Sequence, residues 1–131
     1  MILNLTQHAA TSAQIDAGVV DLDSPELARL VEALTFESLP TVAQIDARAA
    51  EIAGLAVLQA SFVGKASVAA GMIGGAPWFM APLERALRKV GIMPIYAFSV
   101  RESTEQKLPD GSIRKVMIFR HAGFVEAAIA S

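Results

Sequence analysis

The stretch ASVAAGMIGGAP, residues 66–77, decides the fold class of this chain. Its first eight residues, 66–73, are small or apolar without a break, which is typical of a strand covered on both faces. Two glycines and a proline follow, and they predict a tight turn into a helix that starts near Pro77. A buried strand joined in this way to a helix is a unit of a parallel sheet, so the stretch predicts an α/β fold.

Upstream of this stretch, the sequence predicts one short strand and three helices. Residues 2–6 (ILNLT) form the strand, and a capping pattern at 11–14 (TSAQ) starts a short first helix. The run 24–26 (SPE) combines a hydroxyl cap, a proline and an acid, and it starts the second helix. A second capping pattern at 41–44 (TVAQ) starts a longer helix that ends near Ala60.

Downstream, the helix from Pro77 continues to about residue 90, and residues 93–100 form the next strand. Residues 101–111 are polar, contain the turn residues Pro-Asp-Gly, and are predicted to be a loop. The last strand covers 113–119 and runs back antiparallel, with a second segment at 124–125.

This order predicts a Rossmann-like three-layer fold. Its sheet is expected to be mostly parallel with an antiparallel edge hairpin at the C-terminal end. One domain is expected to cover residues 1–131. A further short strand could lie within residues 34–39.

Composition excludes several function classes. The chain has no cysteine, which removes disulfides and thiolate metal sites and fits a reducing cytoplasm. Residues 1–60 hold eight acids and two bases, a charge of −6, whereas residues 61–131 hold nine bases and five acids, a charge of +4. No run of Lys or Arg suggests a DNA or RNA duplex as partner. The glycines and prolines in the uncharged stretch 66–83 argue against a membrane span.

A ligand site is expected outside the carboxyl ends of the parallel strands. Three loops leave such ends, at residues 6–8, 74–78 and 99–103, and the last strand is expected to return cations to the same edge. The catalytic candidates are His8, a possible general base, and Arg101, a phosphate ligand. The ligand-binding candidates are Thr6, Gln7, Gly74, Gly75, Trp78, Ser99, Arg114 and Lys115.

Each candidate also has a purely structural interpretation. The two glycines could serve the turn alone, and Trp78 could pack rather than stack on a ligand. His8 could simply end its strand, and the cations after residue 100 could protect an edge strand from aggregation. The second histidine, His121, is expected at the opposite edge from His8, so no metal site and no cofactor are predicted.

The opening ILNLTQH with its Thr11-x-x-Gln14 pattern resembles the start of small CRISPR-accessory proteins of the CARF-like (Rossmann-like) ring nuclease group. The segment 72–77 (MIGGAP), with the helix and strand that follow, is similar in layout to the central part of those proteins. The resemblance covers about two thirds of the chain. It implies a homodimer that binds a cyclic oligoadenylate and cleaves it without a metal ion.

In such a reaction a ribose 2′-OH of the substrate is the nucleophile, so the protein has only to align the attack and stabilise charge. The resemblance then implies that Gly74, Gly75 and Arg101 hold phosphate, while residues 6–8 contact base or ribose. The alternative is a non-enzymatic homodimeric interaction or regulatory module of a mobile element, which would bind a small anionic nucleotide-like ligand or a protein.

Overall fold

The fold is known from a computed structural model, which describes residues 1–64 and 68–127. Its elements are β1 (Ile2–Asn4), α1 (Ser12–Asp16), β2 (Val19–Asp21), α2 (Ser24–Leu34), α3 (Val42–Val63), β3 (Ala70–Met72), α4 (Pro77–Lys89), β4 (Met93–Lys107) and β5 (Ile113–Glu126). The described strands form one five-stranded sheet in the order β2-β1-β3-β4-β5. The first four strands are parallel, and β5 runs antiparallel to β4. The predicted α/β class and the antiparallel edge hairpin are confirmed.

Local sequence signals explain most of the helix boundaries. The hydroxyls of Thr11 and Thr41 each accept a hydrogen bond from the backbone N–H three residues on. The side-chain oxygens of Gln14 and Gln44 in turn accept from the backbone N–H groups of the two threonines. Both predicted capping boxes are therefore confirmed. At α2 the cap is Asp23 rather than the hydroxyl of residue 24, and it makes no side-chain capping bond.

Four strand predictions need correction. The strand at residues 19–21 was not predicted, whereas residues 34–39 contain no strand. The strand predicted at 66–73 is shorter in the structure: β3 covers Ala70–Met72, the described residues 68, 69 and 73 lie outside it, and residues 65–67 lie outside the described part of the chain. The segment 101–107 is strand rather than loop, because each of its residues pairs with one on β5.

The main hydrophobic core lies between the sheet and the three longer helices. It contains Leu3, Leu30, Ile52 and Leu83, all fully buried, so β1, α2, α3 and α4 all contribute to it. A smaller cluster, which includes Val19 and other buried strand residues, takes no member from α2, α3 or α4. In the described residues these three helices therefore share one core.

A glycine at the centre of the sheet allows close packing. A Cβ at Gly71 would lie 2.8 Å from Leu5 Cδ1 and 3.3 Å from Ile92 Cγ2. Both contacts are closer than ordinary van der Waals distance, so a side chain there would force the buried Leu5 and Ile92 side chains to move.

The hairpin β4–β5 extends far beyond the rest of the sheet. The last residue of β3, Met72, pairs with Ile95, yet β4 continues to Lys107. At roughly 3.3 Å per residue, the part beyond Ala97 projects on the order of 30 Å. We call residues 98–123 the arm. It exposes large apolar side chains, among them Phe98, Ile113, Met117, Ile118 and Phe119.

Candidate functional site

A cleft opens at the carboxyl edge of the parallel strands. Its volume is about 570 Å³, within the range of roughly 300–1,000 Å³ that is usual for small-molecule sites. One wall is the loop after β1, and the facing wall is the turn between β3 and α4. Its lining residues are Thr6, Gln7, His8, Ala9, Thr11, Gln14, Leu34, Met72, Ile73, Gly74, Gly75, Ala76, Tyr96 and Ala97.

The position of the cleft matters more than its size, since a groove of the same volume lies over α3 and α4. From β1 the chain crosses to β2 on one side, and it later reaches β3 on the other side of β1. The strand order therefore reverses between β1 and β3, and this is where ligands bind in open parallel sheets. The cleft lies at that point, whereas the groove over α3 and α4 is lined, among the described residues, only by these two helices and the residue that follows α4.

The loop after β1 is shaped by a buried asparagine that the sequence analysis did not select. Asn4 is 3% exposed, and its Nδ2 donates to the His8 carbonyl and to Asp21 Oδ1, at 2.8 Å each. Its Oδ1 accepts from the Thr6 N–H at 3.0 Å and from the Thr6 hydroxyl at 2.7 Å. Asp21 also accepts from the Ala10 N–H. One side chain thus fixes both ends of the loop.

The facing wall is backbone. Gly75 has a φ of +145°, which only glycine adopts readily, so this position needs glycine for the turn. Helix α4 follows with Pro77 in its first turn and with no side-chain cap at Ala76. Pro77 has no N–H and the Phe79 N–H donates to the Ala76 carbonyl, so the groups that this wall can offer a phosphate or carboxylate are the backbone N–H groups of residues 74–76.

The second wall residue that the sequence analysis missed is Tyr96. Its hydroxyl donates to Glu84 Oε2 at 2.6 Å, and Glu84 also lies 3.9 Å from the guanidinium of Arg88. Burial raises the pKa of Tyr96 well above its usual value, and the hydrogen bond to Glu84 and its negative charge raise it further. Tyr96 therefore stays protonated into the alkaline range where an ordinary tyrosine ionises, and its hydrogen bond ties the β4 side of the cleft to α4.

This geometry predicts how stability depends on alkaline pH. Because folding raises the Tyr96 pKa, its contribution is complete below the pKa of an unfolded tyrosine, near 10, and is lost as pH rises above it. Tyr96 is the only tyrosine, so tyrosinate absorbance near 295 nm reports it alone. We expect no titration in the folded protein at pH 10, and we expect Tyr96→Phe to flatten the loss of stability above that pH. A normal titration midpoint in the folded protein would contradict the assignment.

The structure brings together five of the predicted site residues, namely Thr6, Gln7, His8, Gly74 and Gly75. Trp78 does not line the cleft. Its ring packs edge-on against Phe36 at a centroid distance of 5.0 Å, and it remains half exposed. These contacts agree with the interpretation of Trp78 as a packing residue.

The predicted cations lie on the arm and not at the cleft of the same chain. Ser99 and Arg101 lie on β4 just beyond the part that pairs with β3. The Arg101 guanidinium lies 5.8 Å from the ring centroid of Phe119. Arg114 and Lys115 lie near the tip, opposite Gln106 and Glu105. The expectation that they return to the sheet edge is wrong for a single chain, because β4 continues as a strand to Lys107.

The placement of the second histidine also differs from the prediction. His121 pairs with Ser99, so it lies at the carboxyl edge of the parallel strands, where the cleft also lies, and not at the opposite edge. Its ring packs against Phe124 at 4.9 Å. In residues 1–64 and 68–127, no three His, Asp or Glu side chains are grouped as a metal site would require.

None of the helices within those same residues is long and apolar enough to cross a membrane. Comparison with known proteins found no match among curated proteins and none among solved structures. A family model does match, over residues 1–125, and its description is "Uncharacterized protein MJ1673 family". That match covers nearly the whole chain, so this protein belongs to the MJ1673 family.

Proposed function

We propose that this protein binds a small anionic, nucleotide-like ligand in the cleft between the loop after β1 and the turn after β3. The observation that carries the proposal is the convergence of these two segments at the point where the strand order reverses. The order β2-β1-β3-β4 also occurs in doubly wound sheets, so a Rossmann-like strand order is part of the same proposal, although here the three longer helices share one core instead of being divided between the two faces.

The two walls suit different parts of such a ligand. The backbone of residues 74–76 suits a phosphate, because it presents N–H groups and only small side chains. The opposite wall offers the hydroxyl and amide groups of Thr6, Gln7 and Gln14, which can bond to a ribose or to base edges. Leu34, at the end of α2, adds an apolar surface for a base. The cleft thus combines a phosphate side with a nucleoside side.

A cyclic oligoadenylate is the ligand we favour, since the chain resembles the CARF-like ring nucleases at residues that form this cleft. Cleavage would need no metal ion. A ribose 2′-oxygen bonds to the adjacent phosphorus, the bond from phosphorus to the 5′-oxygen breaks, and a 2′,3′-cyclic phosphate forms. His8 lines the cleft and is the candidate to take the 2′-OH proton, while the leaving 5′-oxygen gains a proton from solvent.

The test is to incubate the protein with cyclic tri-, tetra- and hexa-adenylate, measure binding by calorimetry and separate the products by chromatography. We expect saturable binding of at least one ring size and a linear product that ends in a cyclic phosphate. His8→Ala is expected to slow cleavage by about 10²–10⁴-fold, as for loss of a general base, without comparable loss of binding. Absence of binding to all three rings would overturn the proposal for this ligand class.

The second candidate is a non-enzymatic homodimeric module, and the exposed apolar side chains of the arm favour it. Phe119 is 72% exposed and Ile113 is 64% exposed, which is unusual for two large apolar residues on one strand. Binding of a ring that is recovered intact after long incubation would select this candidate over the nuclease.

A further inference from the structure

Among the residues that the structure describes, no strand lies beside the outer edge of β4 over most of its length. On that side β3 reaches only as far as Ile95, while β4 runs to Lys107, and in the described part of the chain the arm is a two-stranded ribbon. Such ribbons are marginal on their own in water, and an open edge is a template for pairing with another chain. This edge can therefore pair with the strand of a partner.

The backbone hydrogen bonds show which residues face the open edge. The Ile95 carbonyl accepts from Ile73, on the β3 side, whereas the Leu108 N–H donates to the Ser112 carbonyl, on the β5 side. Because backbone groups alternate along an antiparallel strand, the odd-numbered residues of β4 point away from β5. The residues that present unpaired backbone groups to the open edge are Ser99, Arg101, Ser103, Glu105 and Lys107.

A second copy of this chain matches the edge, and charge together with the length of the overlap selects one register. If two β4 strands pair antiparallel about a two-fold axis through Ser103, Arg101 of each copy lies opposite Glu105 of the other. An axis through Arg101, Glu102 or Glu105 would instead place like charges opposite each other, and an axis through Thr104 would place Arg101 opposite Lys107. An axis through Gln106 would pair Glu105 with Lys107, but only residues 105–107 of the two β4 strands would then overlap. The Ser103 register combines a long overlap with two favourable cross-strand pairs.

We propose that two copies of this protein pair along β4 about Ser103 and that the arm of each copy reaches the cleft of the other. In this register Lys107 lies opposite Ser99, and Pro109 lies opposite Ala97, which lines the cleft. The turn at residues 108–112 therefore lies at the mouth of the partner copy's cleft. The arms form a continuous four-stranded sheet in the order β5-β4-β4-β5.

The pairing gives the cleft the charge that its own chain does not provide. No Lys, Arg, Asp or Glu is among the described residues that line it. The tip of the partner copy's arm brings Lys107, Arg114 and Lys115, all exposed, towards that mouth, and these three cations outnumber the one carboxylate of the turn, Asp110. Resting on the proposed function, this assigns phosphate recognition in each cleft to cations of the other copy, and it explains why the predicted cations lie far from the cleft in a single chain.

A charge exchange tests the register. Arg101→Glu alone places Glu opposite Glu105 twice, and Glu105→Arg alone places Arg opposite Arg twice. Each single variant is expected to weaken dimerisation about 10-fold or more in sedimentation analysis, and the double variant is expected to restore it. Circular dichroism would verify that each variant is folded. A wild-type protein that stays monomeric at 100 μM, or a double variant no tighter than the singles, would overturn the pairing.

A single cysteine tests the axis directly, because the chain has none of its own. Across a paired Ser103 the two Cα atoms would lie about 5.5 Å apart, within the range of a disulfide. Mild oxidation should link Ser103→Cys into a covalent dimer. The matched control is Ser112→Cys at the exposed turn, which should stay unlinked under the same conditions. Equal linking of the two variants would overturn the register.

The two proposals fail separately. Dimer mass, charge rescue and cysteine linking are measured without ligand, so they stand or fall regardless of the proposed function. Lys107→Glu with Arg114→Ser is then expected to weaken binding of cyclic tetra-adenylate about 10-fold or more at unchanged dimer mass. If binding to the dimer is unaffected by these changes, the arm does not complete the cleft.

Discussion

Replacing Asn4 by alanine is expected to lower the free energy of unfolding by about 2–4 kcal/mol and to abolish binding in the cleft. The reason is that Asn4 satisfies four polar groups at once in a nearly dry environment: the Thr6 N–H and hydroxyl, the His8 carbonyl and Asp21. Alanine would leave the Asp21 carboxylate short of a donor and release the loop that forms one wall. Denaturant unfolding followed by Trp78 fluorescence measures the change, since Trp78 is the only tryptophan.

Two controls separate this network from a general loss of packing. Asn4→Asp keeps the shape but removes the donor and places a second carboxylate beside Asp21. Such a buried acid has a raised pKa, so its destabilisation should diminish as pH falls from 7 towards 4, whereas that of Asn4→Ala should not. Gln7→Ala removes one exposed bond of 3.4 Å and should leave stability within about 0.5 kcal/mol of wild type. Equal losses for Asn4→Ala and Gln7→Ala would contradict the role of Asn4.

Replacing Gly74 by leucine is expected to leave the protein folded and to weaken ligand binding by about 100-fold or more. A Cβ at Gly74 would meet only Thr6 Cγ2, at an ordinary 3.8 Å, and Gly74 has no positive φ. Alanine should therefore be tolerated. Leucine would extend from one wall of the cleft towards the other and fill the space that a phosphate or ribose needs. Calorimetry with cyclic tetra-adenylate measures the effect.

The matched control for Gly74→Leu is a substitution at the neighbouring Gly75. Gly75→Ala must adopt a φ near +145°, so it should cost about 1–3 kcal/mol of stability whatever the ligand does. Gly74→Leu should therefore lose binding with little loss of stability, and Gly75→Ala should lose stability first. If Gly74→Leu binds the ligand as wild type does, the ligand does not occupy this cleft.

The parts of this fold that are encoded locally were predictable. The capping boxes at Thr11 and Thr41 were found because their partners lie three residues away in sequence. Strand β2 was missed because three residues between Gly18 and Leu22 show no periodicity. The sequence predicts a loop at residues 101–107 because a strand exposed on both faces shows no apolar alternation, and only the pairing with β5 makes this segment a strand.

The candidate site shows the same contrast between features that local sequence encodes and features that depend on distant residues. The residues of 6–8 and of 74–75 were predictable, since they follow strand ends and such ends converge in a parallel sheet. Asn4 could have been noticed as the one polar residue inside the apolar run 2–5, but its role depends on Asp21, 17 residues away in sequence. Tyr96 carried no local signal at all, because its partner Glu84 belongs to another element.

The sheet has consequences for how the chain folds. Strand β1 pairs with β3 through Ile2 and Ala70, which are 68 residues apart, whereas β4 and β5 are joined by a short turn. Closing the longer loop costs more conformational entropy, so the two strands of the arm can pair within microseconds, whereas the pairing of β1 with β3 forms later. Among the strand pairings, that of the arm would then form first, with its apolar side chains exposed, and a nascent arm that meets another nascent arm could begin assembly before either sheet is closed.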